Sequence, residues 1–248
     1  MNRVLILMNM FTENVKRGRG RPPGETTQGA AARNRLYETA IGLMAQKGYE
    51  ATTLREVAKS AGVSVGLLYR YFPSKRAVII ALYDELSADY ARRAADMPRG
   101  RWRDRFVFAL KTSLEVLDPH RVALRALIPV LVGDPEEGVF AASAAFSRVR
   151  VQGTFEAAVA GATDAPATSL ARAVGRLLYL VHLAVLLWWL LDKSRDQRAT
   201  GTLVTLIGQM LPSAALALRL PAMRRFITSL DELMHEALFR DAVQGGGA

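Results

Sequence analysis

Residues 52–75, TTLREVAKSAGVSVGLLYRYFPSK, decide what kind of protein this is. Within them GVSVG (62–66) fits the G-x-S-x-G pattern that surrounds the nucleophilic serine of many hydrolases. That pattern needs a buried strand before the serine and a helix after it. The residues before it have helical spacing instead. Thr53 and Glu56 stand at capping-box distance, and Leu54, Val57, Ala58 and Ala61 repeat as one apolar helix face. A triad would also need an acid and a histidine downstream, and His120, His182 and His235 stand in no recognisable setting. Ser64 therefore reads as a helix cap, and the chain is expected not to be an enzyme.

Outward from this stretch the pattern stays helical. Residues 30–48 place Leu36, Ala40, Leu43 and Met44 on one face, and Gly48 stops that helix. Gly62 ends the second helix, and Ser64 caps a third whose inward face is Val65, Leu68 and Phe72. Pro73-Ser74 breaks it, and Ser74 caps a fourth helix, 74–95, with Val78, Ile79, Leu82, Tyr83 and Leu86 inward. Two short helices joined by a glycine turn make a helix-turn-helix, whose second helix can enter the major groove of DNA. Gly66, Leu67, Arg70 and Tyr71 are then turned outward, with Ser64 and Tyr69 at the margin. Gly66 allows close approach, Arg70 can donate to guanine or phosphate, and Leu67 can touch a thymine methyl group. Tyr69, Tyr71, Ser64 and Lys75 suit phosphate oxygens, which set register without reading sequence.

The run TTLREVAKSAGVSVGLLYRYFPSKRAVIIAL (52–82) resembles the DNA-binding domain of the TetR family of bacterial transcriptional regulators. The likeness covers about residues 30–90. It implies DNA contacts at Ser64, Gly66, Leu67, Tyr69, Arg70, Tyr71 and Lys75, and a phosphate contact near Thr53. Leu67 departs from the polar residue that many members carry there. The resemblance also implies a larger helical domain that binds a small molecule and forms a homodimer, and a repressor as the regulatory sign.

Charge and composition agree with an anionic partner. The net charge is +10, and residues 1–100 hold 16 Lys/Arg against 9 Asp/Glu. Such an excess toward one end suits nucleic acid or an anionic surface. The apolar start MNRVLILMNMF lacks a cleavage site and reads as a disordered extension. The Gly-, Pro- and Arg-rich segment 16–29 follows as a basic arm. Its Arg19-Gly20-Arg21-Pro22 run, preceded by Lys16 and Arg17, resembles the minor-groove core of AT-hook peptides. A non-specific electrostatic anchor is the other reading of the same residues. The chain has no cysteine, which excludes thiolate chemistry and disulfides and fits a reducing cytoplasm. Three scattered histidines offer no metal-site spacing, and no cofactor is expected.

Beyond residue 101 the sequence predicts helices over 102–117, 119–132, 138–160, 166–193, 197–218 and 221–240. The fold expected is all-α: a small helix-turn-helix domain (30–90) after the extension and arm (1–29), then a larger helical effector-binding and dimerisation domain (95–240). Segment 177–191 is uncharged for 15 residues, short of the ~20 that a membrane span needs. It is apolar on all sides, so it is expected to be covered by residues 197–218 and by a second copy, with Gly201, Gly208, Ala214 and Ala215 allowing close approach. Candidate pocket residues are Phe106, Phe108, Leu110, Ile128, Phe146, Phe155, Tyr179, His182 and Trp188, with His120 and Arg125 as polar anchors. Each of these positions also suits core packing.

The function expected is a homodimeric regulator on double-stranded DNA with a palindromic operator, released by a small hydrophobic or aromatic effector. An architectural DNA-binding protein relying on the basic arm is the alternative.

Overall fold

A computed structural model of the chain describes residues 27–239. These residues form eleven α-helices and three short 3-10 turns, with no strand among the described residues. The protein is all-α, as the spacing predicts.

The first four helices follow their sequence signals closely. α1 (Thr27–Lys47) buries Leu36, Ala40 and Met44. Gly48 follows at φ +90, a left-handed value that only glycine takes cheaply. α2 (Leu54–Ser60) starts where the Thr53 hydroxyl accepts from the Glu56 amide. Only half of the capping box forms, because the Glu56 carboxylate pairs with Lys47 of α1. Gly62, at φ +66, makes the turn, and the Val63 amide reaches back to the Ala58 carbonyl. α3 (Val65–Tyr71) is capped by Ser64 Oγ, which accepts from the Leu67 amide at 3.2 Å. α4 (Lys75–Ala94) is capped in the same way by Ser74. A capped helix therefore precedes GVSVG, where a nucleophile elbow needs a strand.

Leu68 and Phe72 of α3 enter a core with Leu36, Met44, Val57, Ala58, Val78, Ile79 and Leu82. Val65 does not join them. It is 39% exposed, because the first turn of so short a helix lies beyond the reach of α1 and α2. The same core continues into Leu124, Leu127, Leu131, Trp189 and Leu190, so the two domains share packed surface.

The later helices are α5 (Trp102–Leu117), α6 (Arg121–Ala126), α7 (Ile128–Gly133), α8 (Ala145–Ala160), α9 (Thr168–Leu191), α10 (Arg198–Ala217) and α11 (Pro221–Leu238). Two sequence expectations are corrected here. The helix expected over 119–132 is split at Leu127, because Pro129 lacks an amide and its ring clashes with the preceding turn. The helix expected from 138 starts only at Ala145. Asp134 Oδ1 accepts from the Glu136 and Glu137 amides, and a Cβ on Gly138 would sit 2.5 Å from the Asp134 carbonyl oxygen. Residues 134–141 are thus a tight turn that helix geometry cannot replace.

α9 and α10 are both long and apolar enough to cross a membrane. α9 buries Leu170, Val174, Leu178, Tyr179, His182, Val185 and Trp189 against its neighbours. In the single chain Val181, Trp188 and Leu191 remain as an exposed stripe. α10 buries little and exposes Leu206, Met210 and Leu216. α11 is held to α9 by a two-bond pair in which Arg176 Nε donates to Asp231 Oδ1 at 2.7 Å and its second nitrogen donates to Oδ2.

Candidate functional site

Three caps and one glycine turn fix how α3 is presented. With Leu68 and Phe72 held in the core, Ser64, Val65, Gly66, Tyr69 and Arg70 lie exposed. Tyr69 is 46% exposed. No atom lies within 4 Å of where a Cβ on Gly66 would stand. Open space therefore lies above Gly66. Leu67 and Tyr71 are half-buried, and Tyr71 packs against the core. Thr53 is exposed at the start of α2, and Arg55 and Lys59 are exposed farther along it. Those two cations were not singled out from sequence, although an exposed Arg and Lys at i, i+4 beside a helix-turn-helix is a readable signal.

Lys75 is differently placed from the other candidates. Its ammonium donates to the Tyr49 carbonyl at 2.9 Å and sits 4.2 Å from the Tyr49 ring centroid. It closes the α1–α2 turn onto α4. The arm residues Arg17, Arg19 and Arg21 lie outside the described residues.

A second site opens inside the larger bundle. An apolar cavity of about 330 Å³ lies among α4, α5, α6, α7, α8 and α9 and the 134–141 turn. Of the pocket candidates, Ile128, Tyr179 and His182 line it. Phe106, Leu110 and Phe155 are fully buried core residues that do not reach it. Phe146 is 70% and Trp188 50% exposed, pointing away from the interior; the neighbouring Trp189 lines the cavity instead. Phe108 and His120 are half-buried, Arg125 is exposed, and none of the three lines the cavity. Helical register explains these misses. A whole apolar helix does not reveal which of its faces meets a void.

The polar groups at the cavity are few. His182 is wholly buried, its Nε2 is 2.8 Å from Ser113 Oγ, and burial pushes its pKa down to about 3. Its ring lies against Phe155, Tyr179 and Tyr90. Arg148 is buried and donates to the Val139 and Ala141 carbonyls, fixing the turn that walls the cavity.

That turn also grips the reading head. The Tyr49 phenol donates to the Glu137 carboxylate, Tyr83 donates to the Glu137 carbonyl at 3.1 Å, and Arg76 pairs with Glu136 at 3.0 Å. Burial and the Glu137 carboxylate hold the Tyr49 phenol well above its usual pKa, so it remains a donor.

Known proteins resemble this arrangement. The sequence model of the family described as bacterial regulatory proteins, tetR family, matches residues 36–82. The HTH-type transcriptional regulator YuxN of Bacillus subtilis is 35% identical over 89 residues, 34% of this chain and 31% of its own length. The HTH-type transcriptional repressor KstR of Rhodococcus jostii is 45% identical over 49 residues, 20% of this chain and 23% of its own. The matched stretches thus span less than a third of these relatives. Among solved structures, a tetR-family transcriptional regulator from Streptomyces coelicolor superposes with a TM-score of 0.56 at 22% identity, covering 84% of this chain and 98% of that one. The family model matches the capped helices around GVSVG, and likeness of fold extends through both domains. Residues 36–82 therefore carry the amino-terminal domain of the bacterial regulatory proteins of the tetR family.

Proposed function

We propose that this protein is a DNA-binding transcriptional repressor, released from a palindromic operator by a small apolar effector. The observation that carries the reading is the presentation of α3. Its inward residues are locked in a core, its start is capped, and Gly66, Tyr69 and Arg70 face outward with open space above Gly66. In this reading Arg70 donates to a base edge or phosphate, Leu67 meets the groove at the margin, and Thr53, Ser64, Tyr69 and Tyr71 contact the backbone. Lys75 serves by holding Tyr49, and reaches phosphate only if it leaves that carbonyl.

A homodimer supplies the two-fold symmetry that a palindrome requires. The exposed apolar stripe of α9 (Val181, Trp188, Leu191) and the face of α10 carrying Leu206 and Met210 are the surfaces proposed to meet. Gly201 and Ala214 are exposed and permit close approach there, whereas Gly208 faces Val107 of its own chain.

The effector site is the α4–α9 cavity. α4 carries Lys75 and Arg76 at the reading head and Tyr83, Leu86, Ser87 and Tyr90 at the cavity. The 134–141 turn joins the same two places through Glu136 and Glu137. A ligand that displaces this wall shifts both reading heads relative to their half-sites. A tenfold loss of DNA affinity needs only about 1.4 kcal/mol of differential binding, so a small pivot suffices.

The test is selection of bound fragments from a bacterial genomic library at near-physiological salt, with Arg70→Ala alongside. An enriched near-palindrome, bound about 1–3 kcal/mol more weakly and less selectively by the variant, supports the reading. Normal operator binding by the variant would place the reading face elsewhere. Loss of all binding on removing residues 1–25 would favour the architectural alternative.

A further inference from the structure

The effector cavity and the exposed stripe of α9 meet at one residue. Ala184 lines the cavity and is also exposed to solvent. Its side chain is a single methyl group, so the same few atoms face both the void and the outside. Val132 of α7 likewise lines the cavity and is 60% exposed. The other lining residues are buried or half-buried. The mouth of the cavity therefore lies between α7 and α9, with Phe140 and Leu187 half-buried beside it.

Helix geometry sets this mouth along the surface proposed to meet a second copy. At about 100° per residue, Val181, Ala184, Trp188 and Leu191 fall within an arc of about 80°. Leu187 borders that arc on its cavity side. One edge of the stripe is thus the rim of the mouth.

The chemistry of the stripe suits its own copy as the covering surface. Residues 177–191 carry no charge, and Val181, Trp188 and Leu191 supply the large exposed side chains. In a two-fold contact the same patch is used on both sides, so a charge near the axis would meet its like. An uncharged apolar face is complementary to itself. Leu206 and Met210 of α10 extend the exposed apolar surface.

Resting on the effector and dimer readings above, we propose that a second copy of the chain completes the effector site. Seated on the α9 stripe, it lies across the mouth between Val132 and Ala184 and forms the outer wall. A ligand in the cavity then touches both copies. The dimer binds effector more tightly than the monomer does, and effector tightens the dimer in return. Effector also sits at the joint that sets the spacing of the two reading heads.

N-phenyl-1-naphthylamine, an uncharged compound that fluoresces in apolar surroundings, is the probe for the full chain. Leu86→Trp, made in each background, fills the cavity from α4, and signal that survives it is subtracted as surface binding. Met210→Glu lies outside the cavity lining and supplies the monomer, checked by light scattering on the same samples. Leu206→Lys, on the same helix, replaces it if it fails to fold. The cavity Kd is expected to be about tenfold weaker in the monomer. In wild type, saturating probe should lower the dimer dissociation constant about a hundredfold, tenfold for each of two sites. Equal cavity affinity in monomer and dimer, with no effect of probe on dimer dissociation, overturns the inference and leaves the effector cavity standing. A chain that stays dimeric in both variants also overturns it, because the second copy then sits elsewhere. Absence of cavity binding in both forms overturns the effector reading itself.

Discussion

Single residues here carry consequences well beyond their size. Ser64 sits in a hydrolase-like motif yet spends its hydroxyl oxygen on the Leu67 amide. Ser64→Ala is expected to cost about 1 kcal/mol of stability in urea melts, as loss of an N-cap does. Ser64→Asn should restore most of it, because Asn caps a helix as well as Ser does. His182 makes a different prediction. Its folded pKa lies at about 3, below the ordinary histidine value, because burial opposes the charged form. The neutral folded state is therefore favoured above the unfolded value of about 6.5, and the advantage is lost as pH falls toward the folded value. Wild type should lose up to about 1.4 kcal/mol per pH unit below 6.5 beyond what His182→Leu loses. Urea melts of both proteins between about pH 7 and pH 5 would show the difference in slope.

Elements matter through what joins them. The 134–141 turn contacts cavity and reading head at once, and Tyr49→Phe cuts one of its links while leaving the ring beneath Lys75. The variant is expected to bind effector normally, while the ratio of operator affinities without and with effector falls about two- to tenfold. Gel-shift titrations with and without an apolar compound first shown by calorimetry to bind the cavity measure it. An unchanged ratio would leave α4, with its Arg76–Glu136 and Tyr83–Glu137 contacts, as the proposed link. The α9–α11 junction depends on a nearly buried carboxylate. Asp231→Ala leaves Arg176 unpaired beside α9 and should cost about 3 kcal/mol. The melting temperature should fall accordingly.

At the scale of the whole molecule, the exposed apolar surface of α9 and α10 calls for a partner. Met210 is 68% exposed in the single chain, so Met210→Glu should leave the monomer fold intact. In a dimer it would bury an unpaired charge, at a cost of several kcal/mol. Size-exclusion chromatography with light scattering should show a monomer with an unaltered melting temperature, and operator affinity should drop because one reading head remains. A dimer of unchanged affinity would place the interface elsewhere, with α11 and its exposed Phe226 and Leu233 the next surface to test.

Local chemistry explains why so much of the reading head was legible. Thr53, Ser64 and Ser74 act on amides three residues away, and Gly48 and Gly62 set their own backbone angles. None of this needs distant residues, so the capped helices and the turn between them follow from local chemistry, whereas Val65 and Tyr71 took their final exposure from packing. The break at Pro129 is equally local, and the pattern of apolar residues around it hid it. The cavity is another matter. Phe106 and Phe155 look as suitable as Tyr179 and Trp189 on paper, yet only the second pair meets the void. Whether an apolar side chain faces core, cavity or partner depends on how helices far apart in sequence rotate against one another. The meeting of His182 with Ser113, 69 residues away, and of Glu137 with Tyr49, 88 residues away, likewise exists only once the bundle is packed. Side-chain periodicity specifies a face, and tertiary packing alone specifies what that face meets.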